Sequence, residues 1–167
     1  SASSGSAGPR GSASVIFEII SLPQILFISF ALCKKYFLMK IGLISDTHGY
    51  LDPRLFDLFA DCDEIWHAGD IGSMEVYNKL MEICSVRAVT GNCDGYPLRT
   101  FLRPELSFTV EGVNVFMTHI GGYPGKYAPG IAAKLAANNT KLFISGHSHI
   151  LKVVNDPTLK LLHINPG

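Results

Sequence analysis

Asp46 and His48, two polar residues that directly follow an apolar run, have types and a spacing that could do chemistry. The run contains Ile41, Leu43 and Ile44 and ends in a turn, which is typical of a strand buried on both faces. Residues at the carboxyl end of such a strand lie where open α/β sheets bind ligands. An aspartate and a histidine one residue apart can converge on one cation if the chain bends. Because Asp-x-His also occurs by chance, further ligands at later strand ends are needed to indicate a metal site.

Four later strand-like segments end in the same way. They are residues 65–68 before Gly69-Asp70, 86–90 before Gly91-Asn92-Cys93-Asp94, 113–118 before His119, and 141–145 before Gly146-His147-Ser148-His149. Taken singly, an aspartate is most often a cap or turn residue, an asparagine beside glycine a turn residue, and a histidine a surface residue. A folded core does not require five such coincidences at successive strand ends, so together they predict a metal site.

The elements between these ends alternate between strand and helix. A helix is predicted after Asp52-Pro53 and another after Ser73, with strands at 64–68 and 86–90, which makes a β-α-β-α-β unit with parallel strands. A hairpin of 106–110 and 113–118, a helix at 131–137, the strand 141–145 and a hairpin of 151–154 and 159–164 follow, the last turning at 155–157. Parallel units followed by hairpins favour two packed mixed sheets flanked by helices.

Composition limits the class of protein. A length of 167 residues is typical of one domain, and a hydrophobic content of 47% is enough for a sizeable core. Fourteen basic residues balance fourteen acidic ones, so no net charge recruits nucleic acid or an anionic membrane. The four cysteines show no C-x-x-C pair, which favours reduced thiols in a cytoplasmic protein over a disulfide framework. The sequence leaves a homo-oligomer open.

Residues 1–38 differ in composition from the rest. Residues 1–14 are almost entirely Ser, Ala and Gly, and 15–33 are strongly apolar but interrupted by Glu18 and Pro23. A membrane span needs about 20 predominantly apolar residues, so this segment is a poor anchor. If it did insert, the lysines that follow it would leave the domain in the cytoplasm. We predict that 1–38 is an extension outside the fold, non-native or disordered and apolar, and that the domain is 39–167, with Met39 as its natural start.

The ordered series D-x-H, G-D, G-N-x-D, H and G-H-x-H resembles the calcineurin-like metallophosphoesterase superfamily. The resemblance runs over residues 39–167 and is strongest to the small single-domain bacterial and archaeal phosphodiesterases. It implies a four-layer α-β-β-α sandwich of two mixed sheets flanked by helices. It also implies hydrolysis of small phosphodiesters by a hydroxide that bridges two divalent metals.

The resemblance further implies a role for each motif residue. Asp70 would bridge the two metals, with Asp46, His48 and His149 completing the first site and Asn92, His119 and His147 the second. Asn92 would also take part in catalysis, and Cys93 is the other candidate catalytic residue. Nitrogen and oxygen ligands without thiolate favour Mn, with Ni, Fe, Co or Zn as alternatives, over Mg or Ca.

Cys93 departs from the pattern of the superfamily. Many members carry a histidine there, which is thought to protonate the leaving group. A thiol with a pKa of about 8.5 is a weak hydrogen-bond donor and a poor substitute for imidazolium near neutral pH. We therefore expect metal loading to survive and activity on poor leaving groups to suffer.

A non-catalytic interaction scaffold, resembling the retromer subunit that shares this fold, is the competing function. A scaffold would be expected to lose some of the seven ligand positions, and this chain keeps all of them, which favours the enzyme.

The residues that would contact the substrate are less clearly specified by the sequence. Five basic residues could each contact a phosphate: Arg54, Arg87, Arg99, Arg103 and Lys126. Residues 121–127 are predicted as a flexible loop on the substrate side. We expect His67 to be a structural strand residue and His163 to decorate a hairpin.

Overall fold

The first of two five-stranded mixed sheets contains the amino-terminal half of the candidate site. A computed structural model describes residues 14–16, 25–31 and 39–167, with side chains from residue 39 onwards. The strands are β1 (Ser14–Ile16), β2 (Ile25–Ala31), β3 (Met39–Ile44), β4 (Glu64–His67) and β5 (Ser85–Ala88). They lie in the order β1-β2-β3-β4-β5. Because β3, β4 and β5 are parallel, their carboxyl ends meet at one edge.

The second sheet presents two further carboxyl ends to the same region. Its strands, with a separate short pair β8–β9, are β6 (Glu105–Val110), β7 (Val113–Thr118), β8 (Gly122–Tyr123), β9 (Lys126–Tyr127), β10 (Leu142–Ile144), β11 (Lys152–Asp156) and β12 (Leu161–Asn165). The order in the sheet is β11-β12-β10-β7-β6. Strands β7, β10 and β12 are parallel, whereas β6 and β11 are antiparallel hairpin partners.

Four helices complete the described part of the fold: α1 (Arg54–Leu58), α2 (Met74–Ile83), α3 (Leu98–Phe101) and α4 (Ile131–Ala137). The longest, α2, begins at Ser73, whose hydroxyl oxygen accepts a hydrogen bond from the Val76 N–H at 3.3 Å. This is the N-cap that the sequence predicts, and it satisfies one of the free amides of the first helical turn.

Three buried apolar clusters separate four layers. The cluster between the two sheets contains Ile41, Leu43, Trp66, Val115, Met117 and Ile144. A second cluster packs α1 and α2 on the outer face of the first sheet, through Leu55, Phe59, Leu80, Ile65 and Ala88. A third packs α4 on the outer face of the second sheet, through Ile131, Leu135, Phe116, Phe143 and Leu161. Alternate residues of a strand face opposite sides, so each sheet has two apolar faces, and the predicted α-β-β-α sandwich is confirmed.

Local differences from the prediction lie in the second half of the chain. The last hairpin turns at 157–160 rather than 155–157, because β11 extends through Asp156. The Asp156 carboxylate accepts from the amides of Thr158 and Leu159 at 2.8 and 3.1 Å, which fixes the later turn. Residues 122–127 form the β8–β9 hairpin instead of a flexible loop.

His163 lies on the second hairpin but not at its surface, so that expectation was wrong. Its side chain is fully buried, stacks on Phe143 with ring centroids 4.7 Å apart, and places Nε2 2.9 Å from the Ser145 hydroxyl. Its Nδ1 is buried without a hydrogen-bond partner in the described part of the chain. The outer face of β12 is covered by neighbours that a local sequence pattern does not specify.

The His163 environment predicts acid sensitivity. Burial, assisted by the charge of Lys152, lowers the pKa of His163 from 6.5 to about 4. Between these values the unfolded chain binds a proton that the folded chain does not, so stability falls as pH decreases through this window. His163 should contribute a loss of about 2 kcal/mol between about pH 7 and about pH 5. Denaturant titrations should show a shallower loss in His163→Gln, which cannot titrate; equal losses would contradict this assignment.

The boundary at Met39 stays a prediction. Strand β2 pairs antiparallel with β3 and β1 with β2, whereas residues 1–13, 17–24 and 32–38 lie outside the described residues. Among those that are described, no helix is long and apolar enough to cross a membrane.

We expect a protein beginning at Met39 to remain folded, since residues from Ile41 onwards form all three apolar clusters of the described side chains. Its thermal midpoint and far-ultraviolet circular dichroism, compared with those of the full chain, are the measurement. Precipitation of the shortened protein alone would show that β2 is needed to cover the edge of β3.

Candidate metal centre

Five loops meet where the carboxyl ends of β3, β4, β5, β7 and β10 come together. Hydrogen bonds between their backbones fix them: the Asp46 and His48 amides donate to the carbonyls of Gly69 and Asp70, both at 3.0 Å. The Gly146 amide donates to the carbonyl of His119 at 3.0 Å. The predicted positions Asp46, His48, Asp70, Asn92, His119, His147 and His149 are all brought into this region.

The backbone at these positions is strained. Asp46, His48, Asp70, His147 and His149 have φ angles of 55°, 47°, 55°, 72° and 53°. The left-handed region is unfavourable for residues with a side chain, costing about 1–3 kcal/mol each when enforced. Such conformations persist where surrounding contacts determine them, and they cluster at ligand-binding sites.

Asp46 is buried at the centre of the first group of side chains. Its Oδ2 accepts from the His147 amide at 3.0 Å, whereas Oδ1 is buried without a hydrogen-bond partner in the described part of the chain. The Nε2 atoms of His149 and His48 lie 3.5 and 3.9 Å from this Oδ1. These two histidine rings stack, with their Nε2 atoms 3.3 Å apart. Three potential ligand atoms therefore face a common point.

His119 is at the centre of the second group. Its Nδ1 donates to the carbonyl of Ala68 at 2.9 Å, which leaves Nε2 facing the other candidate ligands. That nitrogen lies 3.2 Å from Asp70 Oδ2 and 3.1 Å from Asn92 Oδ1, which are both acceptors. His147 joins this group, with its ring centroid 5.2 Å from that of His119. The ligand atoms of Asp70, His119 and His147 lie within 4.8 Å of one another, close enough to hold one metal ion.

Asp70 lies between the two groups. Burial alone would raise its pKa, but the Cys93 amide, which donates to Oδ1 at 2.7 Å, and the adjacent His119 outweigh burial and lower it. The carboxylate is therefore ionised near neutral pH. Gly91 makes this position available, because a Cβ there would stand 2.0 Å from Asp70 Oδ1.

Comparison with known proteins identifies the family. The family model described as the calcineurin-like phosphoesterase superfamily domain matches residues 39–167. The chain belongs to this superfamily. A probable metallophosphoesterase of Methanothermobacter thermautotrophicus is 31% identical over 136 residues, which cover 77% of this chain and 76% of the relative. A phosphodiesterase of Methanocaldococcus jannaschii is 26% identical over 147 residues, covering 77% and 83% of the two chains.

Solved structures share the fold of this phosphoesterase domain. An archaeal phosphodiesterase superimposes with a TM-score of 0.59 at 23% identity, covering 77% of this chain and 84% of that one. Vps29 of Entamoeba histolytica, in complex with Zn²⁺, superimposes with a TM-score of 0.61 at 18% identity, covering 76% and 73%. The architecture is therefore common to an enzyme and to Vps29.

His67 connects two loops of the candidate metal centre by hydrogen bonds. Its buried Nδ1 accepts from the Gly69 amide at 3.2 Å, and its Nε2 lies 3.0 Å from the Thr47 hydroxyl, which donates to the carbonyl of Ile71. Burial lowers the pKa of His67 to about 3, so the ring is neutral. Its two hydrogen bonds link the loop that carries Asp46 and His48 to the loop that carries Asp70. The position of His67 two residues before Gly69 is the sequence signal for this role, which goes beyond the structural strand residue that we expected.

Cys93 lies exposed at the rim of the site. The side-chain amide of Asn92 donates to its sulfur at 3.2 Å. A hydrogen bond with Asp70 raises the pKa of the thiol, so it is protonated near neutral pH. The sulfur, His48 and Asp70 form a third group of atoms that lie within 4.8 Å of one another.

Arg99 holds the loop of residues 91–94, a role that the sequence does not single out. Its Nη2 donates to the carbonyls of Gly91 and Asn92 at 2.9 and 3.1 Å, and its Nε donates to that of Asp94 at 2.5 Å. Arg54 and Arg87, in contrast, pair with acidic residues, Asp52 and Glu64. The guanidinium of Arg99 is therefore a support of the loop rather than a free phosphate-binding group.

Replacing Arg99 by methionine should weaken the site without touching a candidate ligand. Loss of three carbonyl contacts frees the loop that places Asn92, and such supporting contacts typically contribute about 10–100-fold in metal affinity. Titration of metal-free protein with Mn²⁺ measures the effect. Arg103→Met is the matched control, because Arg103 is exposed. An unchanged affinity in Arg99→Met would show that the loop is held without this residue.

Proposed function

We propose that this chain is a phosphodiesterase that uses two divalent metal ions and hydrolyses small phosphodiesters. Its membership of the phosphoesterase superfamily supports the reaction class. The convergence of carboxylate, amide and imidazole atoms at one edge of the two sheets supports the metal centre.

The observation that carries the proposal is the unpartnered Oδ1 of Asp46. A buried acceptor without a donor costs about 1–3 kcal/mol, and more when it is charged. Three imidazole Nε2 atoms lie 3.5–3.9 Å from Asp46 Oδ1, and these have lone pairs to offer when the rings are neutral. A bound cation would satisfy all of these atoms, so the residues present fit a metal.

We infer two sets of ligands from this donor set. Asp46, His48 and His149 would hold the first ion and Asn92, His119 and His147 the second, and Asp70 would contribute to both. Mixed imidazole, amide and carboxylate ligands without thiolate fit Mn²⁺ best, with Ni, Fe, Co or Zn as alternatives. We place the activity in the cytoplasm because Cys62, Cys84 and Cys93 are free thiols.

Three groups of this chain would prepare the site: the carbonyl of Ala68, the amide of Cys93 and the side chain of Asn92. When bound, the ions would supply Lewis-acid chemistry, which polarises phosphoryl oxygens and activates water near neutral pH. The carbonyl of Ala68 holds His119 in the tautomer that presents Nε2. The Cys93 amide holds Asp70 in place and ionised, and Asn92 supplies an oxygen beside the substrate. No side-chain nucleophile is needed, and the Cys93 thiol at the rim would be only a weak proton donor for the leaving group.

Hydrolysis of bis(4-nitrophenyl) phosphate tests the proposal. Metal-free protein should be inactive and should gain activity with Mn²⁺, Ni²⁺ or Zn²⁺ in parallel with metal content, approaching two ions per chain. Full occupancy with no turnover of any phosphodiester would overturn the enzyme.

An interaction scaffold is the second candidate, and a specific observation favours it. Tyr50, Tyr96, Ile120 and Ile150 each follow a loop of the site and are 68%, 89%, 47% and 57% exposed. Exposed apolar groups near one site can mark a partner surface. Because a Vps29 structure contains Zn²⁺, metal binding does not separate the two functions. Turnover does separate them.

A further inference from the structure

Two cavities flank Ile120 beside the second group of ligands. The first, about 230 Å³, is lined by Asn92, Arg99, His119 and Ile120 among others. The second, about 170 Å³, is lined by Ile120, Tyr123, Lys126, His147 and Ser148 among others. Ile120 lines both, so its side chain is a shared wall between them.

The size of the cavities suits parts of a substrate rather than whole ligands. Pockets for drug-sized ligands have volumes of about 300–1,000 Å³, and each of these cavities is smaller. A phosphodiester has two ester groups on one phosphorus. With the phosphoryl group at the metal ligands, the two cavities lie where its two arms could extend.

The two cavities differ in available charge. In the first, the Arg99 guanidinium keeps its charge, but three backbone carbonyls of residues 91–94 hold it in place. In the second, Lys126 has no ion-pair partner among the described residues. The Lys152 ammonium lies 4.2 Å from the centroid of the Tyr123 ring at the same cavity. The second cavity is therefore positively charged in a chain of zero net charge.

The β8–β9 hairpin that lines the second cavity is held to the loop of candidate ligands by a hydrogen bond. Tyr123 and Lys126 face each other in the β8–β9 hairpin, and the Tyr123 hydroxyl hydrogen-bonds to Ser148, between His147 and His149. Asp156, the carboxylate in the groove next to Lys126, accepts from the Tyr127 hydroxyl at 2.6 Å and from two amides. Both carboxylate oxygens of Asp156 already accept hydrogen bonds, and neither pairs with Lys126. Lys126 is therefore available to a ligand.

We propose that the cavity containing Lys126 is a subsite for a negatively charged ester arm, with the other arm at the cavity lined by Asn92 and Arg99. The inference rests on the proposed phosphodiesterase function and narrows its substrates to diesters that carry a negative charge on one ester arm. Lys126 is then a specificity-determining residue, and Ile120 separates the two arms.

Binding of two matched phosphinates to the Mn²⁺-loaded protein tests this subsite. Butyl(phenyl)phosphinate and (3-carboxypropyl)(phenyl)phosphinate have two P–C bonds, so neither can be hydrolysed, and they differ in one carboxylate. Isothermal titration should show that the wild type prefers the carboxylate by about fivefold, the upper range for one exposed ion pair. Lys126→Met should remove this preference, Lys126→Arg should retain it, and Lys141→Met, which removes another exposed lysine, should leave it unchanged.

Each outcome decides one proposal. No carboxylate preference, a preference that survives in Lys126→Met, or no binding of either phosphinate would overturn the subsite. Turnover of bis(4-nitrophenyl) phosphate, measured on the same samples, tests the phosphodiesterase separately. A Lys126-dependent preference without any turnover would keep the anionic subsite and reject the enzyme.

Discussion

Replacing Asp70 by asparagine is expected to abolish metal-dependent hydrolysis while leaving the chain folded. Asp70 is the proposed bridge: its ligand atoms lie within 4.8 Å of those of His48 and of His119, with Oδ2 3.2 Å from His119 Nε2. An amide has one good ligand oxygen and no charge, so it cannot bridge two cations. A loss of about 4 kcal/mol of transition-state stabilisation corresponds to about 10³-fold in rate. Turnover of bis(4-nitrophenyl) phosphate and elemental analysis should both fall, with metal content dropping from about two ions per chain to one or fewer.

The fold should survive in Asp70→Asn because the oxygen of the new side-chain amide can still accept from the Cys93 amide. Circular dichroism and the thermal midpoint of the metal-free protein check this. Asp61→Asn is the matched control: it also removes one carboxylate, but from an exposed pair with Lys40, so metal content and turnover should not change. Turnover of Asp70→Asn close to that of the wild type would remove Asp70 from the site.

The candidate ligands could be located from the sequence because each is local to a strand end. Asp46 follows β3 and Asp70 follows β4, and parallel strands place their carboxyl ends side by side. The apolar runs predict the strands, and the polar residues after them predict the edge where they meet. The layer order follows from the same alternation, since Phe116 faces α4 while Val115 faces the other sheet.

Contacts between distant segments could not be predicted in this way. His163 is buried because β8–β9 and Phe143 cover its face of β12. Arg99 reaches back five to eight residues to the loop carbonyls from a helix of one turn. The left-handed backbone of Asp46 and His147 is held by the neighbouring loops, and the tolerance of Asp and His for this region does not by itself specify it.

Cys93 combines a fixed backbone with an adaptable side chain. Its amide is anchored on Asp70, while the side chain is exposed and lies near His48. A larger side chain can therefore be accommodated at the rim without moving the amide. The site already contains the proposed ligands for both ions, so a strong proton donor for the leaving group is what the chain lacks.

Cys93→His should therefore raise turnover most on esters with basic leaving groups. General acid catalysis by a positioned histidine contributes about 10²–10⁴-fold, and an imidazole in a loop that evolved around a thiol should give less. We expect a clear rise on alkyl phosphodiesters, little change on nitrophenyl diesters and unchanged metal content, measured as kcat for both substrate classes at equal occupancy. Cys93→Ala is the control and should be nearly neutral on nitrophenyl diesters, whose leaving groups need no protonation. If alanine abolishes their hydrolysis at full metal occupancy, the thiol itself takes part in the reaction.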